Sequence, residues 1–241
     1  MALLLWEVAG RRINPIFGSY PSAIAEAFWQ LSRTGALWKA LLESLAPFIV
    51  GYSVAVIAGA PIGLLLGRYR NFEAGFGIYV TAGYAMPLVA LVPLLTLWLG
   101  LGFAVKVAII FLMAFFPVCI NTWLGVRMVP KTLIEVGRSL VASDATILRR
   151  IVLPATLPYI VAGMKLAIGR AVVAMIIAEF FTAISGLGAI IINAANNFDT
   201  ATMFVPILLL VVLAIGLTSL IGLLERRVAP WQAEMSGRTE G

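Results

Sequence analysis

LAPFIVGYSVAVIAGAPIGLLL, residues Leu45 to Leu66, lies between Glu43 and Arg68 and carries no charge. A helix of about 20 mostly apolar residues crosses the hydrocarbon layer of a membrane, and this stretch is long enough to do so. The same test picks out Ala74 to Leu101, Val107 to Val126, Tyr159 to Ile184 and Met203 to Leu224, giving five spans. The expected fold is therefore all-α, a polytopic bundle of transmembrane helices. Composition agrees: 62% of the 241 residues are hydrophobic and 12% charged, against roughly half and a quarter in soluble domains, and the mean hydropathy is +1.04. An ordinary soluble enzyme is excluded.

Pro87 and Pro93 interrupt the second span and Pro117 the third. Freed carbonyls inside a membrane must be satisfied by neighbouring helices or a cavity, so the second span is a candidate for lining a path. Ala2 to Ala9 is apolar but too short to cross, which leaves an interfacial anchor or a shortened sixth span; a signal peptide is the weaker alternative, because no basic segment precedes it. Pro21 followed by Ser22-Ala-Ile-Ala-Glu26 marks a helix start in the connector that follows. The expected division is an N-terminal segment and connector over 1–40, a membrane domain over 41–227 containing a loop at 127–153, and a tail over 228–241.

Cytoplasmic loops carry the excess of Lys and Arg. Of the 17 basic residues, ten fall in three places: Arg68 and Arg70; Arg127, Lys131, Arg138, Arg149 and Arg150; and Arg226, Arg227 and Arg238. The turns Gly100 to Ala104 and Ser185 to Thr200 have none. The basic regions, the C-terminus among them, are accordingly expected inside. Arg11, Arg12, Arg33 and Lys39 in the connector run against the rule but are outnumbered.

Gly51, Ala55, Gly59, Gly63 and Gly67 recur every fourth residue of the first span, and Gly163, Ala167 and Ala171 do so on the fourth. Such stripes let helix backbones approach closely, either within one subunit or between two. Glu179 sits among Ala174 to Phe181, where an acid costs roughly 2.5–3.5 kcal/mol to insert. Arg170 and Lys165 share its span but lie about 13 and 21 Å away along the axis, so its partner is expected on another helix or subunit. It is a candidate for the translocation path, with Tyr84, Met86 and Asn121; the alternative is a structural hydrogen-bonding role. Arg170 and Lys106 either lend positive potential to an anion or snorkel to an interface. The outer segment Ser185-Gly-Leu-Gly188 with Asn193, Asn196, Asn197 and Asp199 reads as turn-rich: a cap over a path, a docking site or a plain connector.

Lys131 to Arg150 reads as helix, turn, helix, with Ser143 or Asp144 capping the second helix. Its apolar Leu133, Ile134, Leu140, Ile147 and Leu148 need a surface, supplied by its own bundle or by a soluble partner. Glu135-Val-Gly-Arg-Ser-Leu-Val141, nine residues, then Ile151-Val-Leu-Pro154 resembles the EAA signature of the membrane subunits of bacterial ATP-binding cassette importers. Pro21-Ser-Ala-Ile, Met86-Pro-Leu-Val-Ala-Leu-Val-Pro-Leu, Leu97-Trp-Leu-Gly-Leu-Gly102, Phe115-Phe-Pro with Asn121-Thr, Ala178-Glu-Phe-Phe181, Ser185-Gly-Leu-Gly188 and Leu224-Glu-Arg-Arg227 extend the resemblance to the nitrate, sulfonate, taurine and bicarbonate permease branch. One departure is Val141, where the signature has Gly.

That resemblance implies a permease subunit of the bacterial inner membrane, carrying a small anionic solute and working as a pair of identical copies. Two cytoplasmic ATPase subunits would bind ATP and Mg, and an external binding protein would deliver the solute. Leu133, Ile134, Glu135, Gly137, Arg138, Leu140, Val141, Ala142 and Ser143 would couple the chain to the ATPase. The chain itself has no Gly-Lys-Ser/Thr phosphate loop, so no cofactor, metal or catalytic residue is assigned to it, and membrane lipid rather than nucleic acid is its surroundings. A self-sufficient secondary transporter using Glu179 as a relay is the alternative; the two halves show no inverted repeat of interrupted helices. An intramembrane enzyme is disfavoured: His is absent and Cys119 is the one cysteine, with no Ser-Lys or paired-carboxylate arrangement in the spans. Cys119, flanked by Val118 and Ile120, is expected to be a buried small hydrophobe.

Overall fold

The computed structural model describes residues 1–182 and 185–228, except the side chains of residues 224 and 226–228. The tail beyond Val228 with Arg238, Ile184 at the edge of the fourth span, and the side chains of Arg226 and Arg227 lie outside the described residues. Helix α1 covers Ala2–Gly10 and α2 Pro21–Arg33; α3 runs over Ala36–Arg68, α4 over Arg70–Ala85 and α5 over Val92–Leu99, the last preceded by a 3-10 turn at Leu88–Leu91. Then come α6 (Phe103–Arg127), α7 (Lys131–Ser139), α8 (Asp144–Ile147), a π-helical turn (Leu148–Val152), α9 (Leu153–Thr182), α10 (Leu187–Asn196) and α11 (Thr200–Val228). No strand occurs among the described residues.

Among the described residues four helices are long and apolar enough to cross a membrane: Ala36–Arg68, Phe103–Arg127, Asp144–Thr182 and Thr200–Leu223. The second expected span is not one helix. Arg70–Ala85 and Leu88–Leu99 pass the test only together, as a broken pair, and the break is at Met86, which is extended at φ −67°, ψ 137°. Pro87 explains it, because the residue before a proline is pushed out of the α region. Pro93 does not interrupt anything; it stands in the first turn of α5, where its missing N–H costs nothing. The first span begins earlier than the hydropathy suggested, at Ala36. The expected second helix of the 131–150 loop is not separate either, since α8 runs through the π-helical turn into α9.

The outer segment after Thr182 also differs from expectation. It holds a ten-residue helix, α10, with Leu187, Gly188, Ala189, Ile191 and Ala194 buried; the asparagines had masked the apolar run Ala189 to Ile192. At the N-terminus, Ser22 does not cap α2. Pro21 opens that helix, and the Ser22 hydroxyl and backbone N–H both donate to the Glu7 carboxylate, at 2.7 and 3.0 Å.

The chain divides into two compact units. One comprises residues 1–51, 89–110 and 172–215, the other 52–88, 111–171 and 216–241. In the first, a Cβ on Gly51 would stand 2.8 Å from the Val107 carbonyl of α6. In the second, Gly59 faces Phe115 and Val118, Gly63 faces Cys119 and Thr122, and Gly67 faces Trp123 and Val126. The stripe on α3 is thus a close contact with α6 inside the subunit. Gly163 of α9 gives the same access to Asn121 and Pro117. Cys119 is buried in this packing, beside Leu66 and Val80. The buried hydroxyls of Thr122 and Thr156 donate to Val118 and Val152, four residues back on their own helices, so neither is left unpaired in the apolar interior.

Candidate functional site

Among the described residues, four places carry polar chemistry, three along the spans and the loop and one at the N-terminus, and the first surrounds Glu179. Its side chain is fully buried in the first unit. Oε1 accepts the Ser44 hydroxyl of α3 at 2.7 Å and Lys106 Nζ of α6 at 3.3 Å, and Oε2 accepts the Gly188 N–H at 2.8 Å. Lys106, itself buried, spends its remaining donors on the carbonyl and hydroxyl of Ser185, both at 3.1 Å. Three successive amides of the segment leading into α10 find oxygen: Gly186 on Glu43, Leu187 on Ser44 and Gly188 on Glu179. A buried ion pair repays its desolvation only when its other hydrogen-bonding capacity is also met, and here it is. Gly186, at φ 96°, and Gly188 let the backbone close over the carboxylate; a Cβ on either would collide with Glu179.

Glu179 therefore has its partner on a neighbouring helix, as its position required, and in this structure it faces protein on all sides. Lys106 neither snorkels nor stands free. Sequence reasoning missed Lys106, Ser44 and Glu43 as members of this cluster. The available signal was that Lys106 is the one charge within its apolar stretch, as Glu179 is at the outer end of α9.

The second place is in the other unit. Tyr84 and Met86 stand exposed at the end of α4, where the broken pair parts. The Arg170 guanidinium of α9 lies 4.5 Å over the Tyr84 ring and donates to its hydroxyl at 2.9 Å. Asn121, half-buried on α6, turns its amide back to the Pro117 carbonyl at 2.8 Å. It supports the helix at Pro117 and does not stand with Tyr84 in a bonded set. Lys165 pairs with Glu225 of α11.

The third place is the 131–150 loop, which presents two faces. Gly137 is buried under Ile147 and Ile151. Ile134, Ala142, Leu148 and Ile151 pack on a core of Val126, Val129, Ile147 and Val152. Leu133, Val136, Leu140 and Val141 point away, with Leu140 76% and Val141 91% exposed; Glu135 and Arg138 are exposed too. The chain's own bundle thus covers Ile134, Ile147 and Leu148, and leaves Leu133 and Leu140 uncovered. Ser143 caps α8, its hydroxyl accepting the Thr146 N–H, while Asp144 pairs with Arg68 at the end of α3. Arg127 and Glu73 form a second tie.

Val141 takes φ 55°. The Ala142 N–H bonds the Gly137 carbonyl and the Val141 N–H that of Arg138, at 3.1 and 2.9 Å, which is the Schellman ending of a helix with its left-handed residue at 141. The turn has the shape a glycine would give it. A β-branched side chain is simply held there, at a cost of order 1–3 kcal/mol.

At the N-terminus, Glu7 also accepts Arg11. Its carboxyl is held below the ordinary range, first by the Ser22 hydroxyl, then by the Ser22 amide and Arg11. Among the described residues no cluster of three or more acidic or cysteine side chains is placed to hold a metal.

Residues 55–230 match the model of a family described as the binding-protein-dependent transport system inner membrane component. The chain is 34% identical to the riboflavin transport system permease protein RibX of Chloroflexus aurantiacus, over 88% of this chain and 80% of that one. It is 28% identical to the taurine transport system permease protein TauC of Escherichia coli, over 98% and 89%. Its fold resembles a chain of the inward-facing MetNI methionine ABC transporter, with a TM-score of 0.69 at 20% identity, covering 80% of this chain and 95% of the other.

Proposed function

The chain belongs to the inner membrane components of binding-protein-dependent transport systems, the permease subunits of ABC importers, and on that premise we propose how its parts divide the work. The membrane domain, 41–227, forms half of a path, and a second identical copy forms the other half. The basic loop 127–153, the C-terminus and the tail 228–241 are cytoplasmic. The segment 1–40 lies at the outer side and leaves the crossing to the later helices. An external binding protein delivers a small anionic solute, and two ATPase subunits bind ATP and Mg and hydrolyse the ATP; the permease contributes movement and no catalytic group.

The observation that carries this reading is the two-faced loop. A nine-residue helix that buries Gly137 and half-buries Ile134 on its own bundle while it exposes Leu133 and Val136, with Leu140 and Val141 exposed in the turn that ends it, has one side fixed and one side free. Surface apolar residues clustered beside charges mark a protein contact. Leu133, Leu140 and Val141 enter a groove on the ATPase, and Glu135 and Arg138 set its register. Ile134, Gly137, Ala142 and Ser143 hold the helix at the right height. Closure of the ATPase pair on ATP then selects the outward-open arrangement through differential binding. Tyr84, Met86, Asn121 and Glu179 belong to the walls of the path, Glu179 and Asn121 by fixing the helices and Tyr84 and Met86 by facing the solute.

Co-expression with the ATPase tests the reading. Reversing Glu135 and Arg138 together with Leu140→Asp is expected to abolish co-purification and ATP-dependent uptake in proteoliposomes while leaving the permease folded in the membrane. Intact complex and uptake would sink the coupling assignment.

A further inference from the structure

The helix α9 places Arg170 about 26 Å from Leu153 and about 18 Å from Thr182, at 1.5 Å per residue, which is the middle of a span. A cation at that depth is costly in lipid and faces protein or water. Yet Arg170 is exposed, and so are Gly169 and Leu166 beside it. A Cβ built on Gly169 meets nothing within 4 Å. No carboxylate pairs with Arg170 among the described residues; Tyr84 takes one of its five N–H groups and stacks under its plane. The side chain is not reaching for an interface along the helix. It is held sideways, toward the end of the broken α4.

We propose that the Arg170 guanidinium, fixed by Tyr84, is the group of the translocation path that contacts an anionic solute, taking two oxygens of a sulfonate, carboxylate or nitrate. This inference rests on the permease reading above and adds to it the chemistry of recognition. A planar fork of donors suits a two-oxygen anion, and a guanidinium with no counter-ion attracts one. Tyr84 supplies orientation: stacking and one hydrogen bond hold the fork flat and leave the remaining donors turned outward. Lys165 cannot substitute, because Glu225 already neutralises it. Lipid headgroups carry the same anion chemistry but lie at the membrane surface, far from this depth.

The full-length chain in nanodiscs, treated with the water-soluble arginine reagent phenylglyoxal, gives the test without ATP, ATPase or transport. The adduct at Arg170 is read by peptide mass spectrometry. It is expected to form, and to form at least threefold more slowly in the presence of ethanesulfonate or nitrate, with glycerol giving no protection. Tyr84→Ala should keep the adduct and lose most of the protection. An Arg170 that stays unmodified is buried in lipid or against a second copy, and one that reacts equally fast with and without both anions binds neither; each result overturns the proposal. In the assembled transporter, Arg170→Gln should lower uptake of the solute at least tenfold and Arg170→Lys by less, with ATPase assembly unchanged. Loss of assembly with the ATPase in the wild-type chain would instead count against the permease reading, leaving the protection result to stand by itself.

Discussion

Glu179 and Arg170 lie on one helix, nine residues apart and so on opposite faces at 100° per residue, and the chain treats them in opposite ways. Glu179 is sealed: three helices supply a cation, a hydroxyl and an amide, and no part of it meets solvent. Arg170 is open, with an aromatic ring and one hydroxyl for company. An ionised group that the fold satisfies completely is a fastener. One that the fold orients and leaves unsatisfied is available to something else. A charge within a span therefore does not by itself mark a residue that meets the solute.

The largest effect should come from unpairing the fastener. Lys106→Met or Glu179→Leu alone strands a buried charge, and each is expected to destabilise the chain by about 3–5 kcal/mol, read as a fall in the thermal unfolding midpoint in detergent. The double substitution should recover much of that loss, since two apolar side chains leave no orphan; a double variant as unstable as the singles would show that the pair holds more than itself. Gly186→Ala comes next. It forces a Cβ against the Glu179 carboxylate from a backbone at φ 96°, and a loss of order 1–3 kcal/mol is expected, with faster hydrogen exchange at Leu187 and Gly188.

Arg170→Met should change stability by no more than about 0.5 kcal/mol, as exposed positions do, despite removing a mid-span charge. A loss as large as that for Glu179 would erase the contrast and make Arg170 a second fastener. The smallest effect concerns Glu7, a half-buried carboxylate with ties of its own. Its folded pKa lies below its unfolded one, so the tie to Ser22 and Arg11 is present at neutral pH and is lost as pH falls through the depressed value. Exchange at the Ser22 amide should rise only under acid more severe than ordinary carboxylates need, and Glu7→Gln should largely remove that dependence.

Much of the fold was legible along the chain. Five apolar stretches, their flanking cations and the four-residue stripe on α3 are local patterns, set by the thickness of the hydrocarbon layer and the pitch of a helix. Pro87 marked the break in the second span, and the pair Ser143 and Asp144 the cap within the loop, a role that Ser143 takes. Other features were not legible. Pro93 looked like an interruption because a proline opening a helix and one breaking it are the same letter. The asparagines around α10 suggested turns, since nothing local showed that two of the three amides at its entry would be met by side chains 143 positions back in the chain. The Val141 turn was legible as a difficulty, and the structure shows the chain accepting the strain instead of avoiding it.

Sequence by itself determined that this is a membrane-spanning helical protein, which of its loops are basic, and which loop resembles the coupling signature, because hydropathy, charge and motif spacing are properties of neighbours in the chain. Tertiary structure alone decided that Lys106 belongs to Glu179, that the loop divides its apolar residues between its own bundle and the open side, and that Arg170 is left with donors to spare. Those outcomes depend on which helices meet and on how many hydrogen bonds each charged group has left, and no periodicity in the sequence records either.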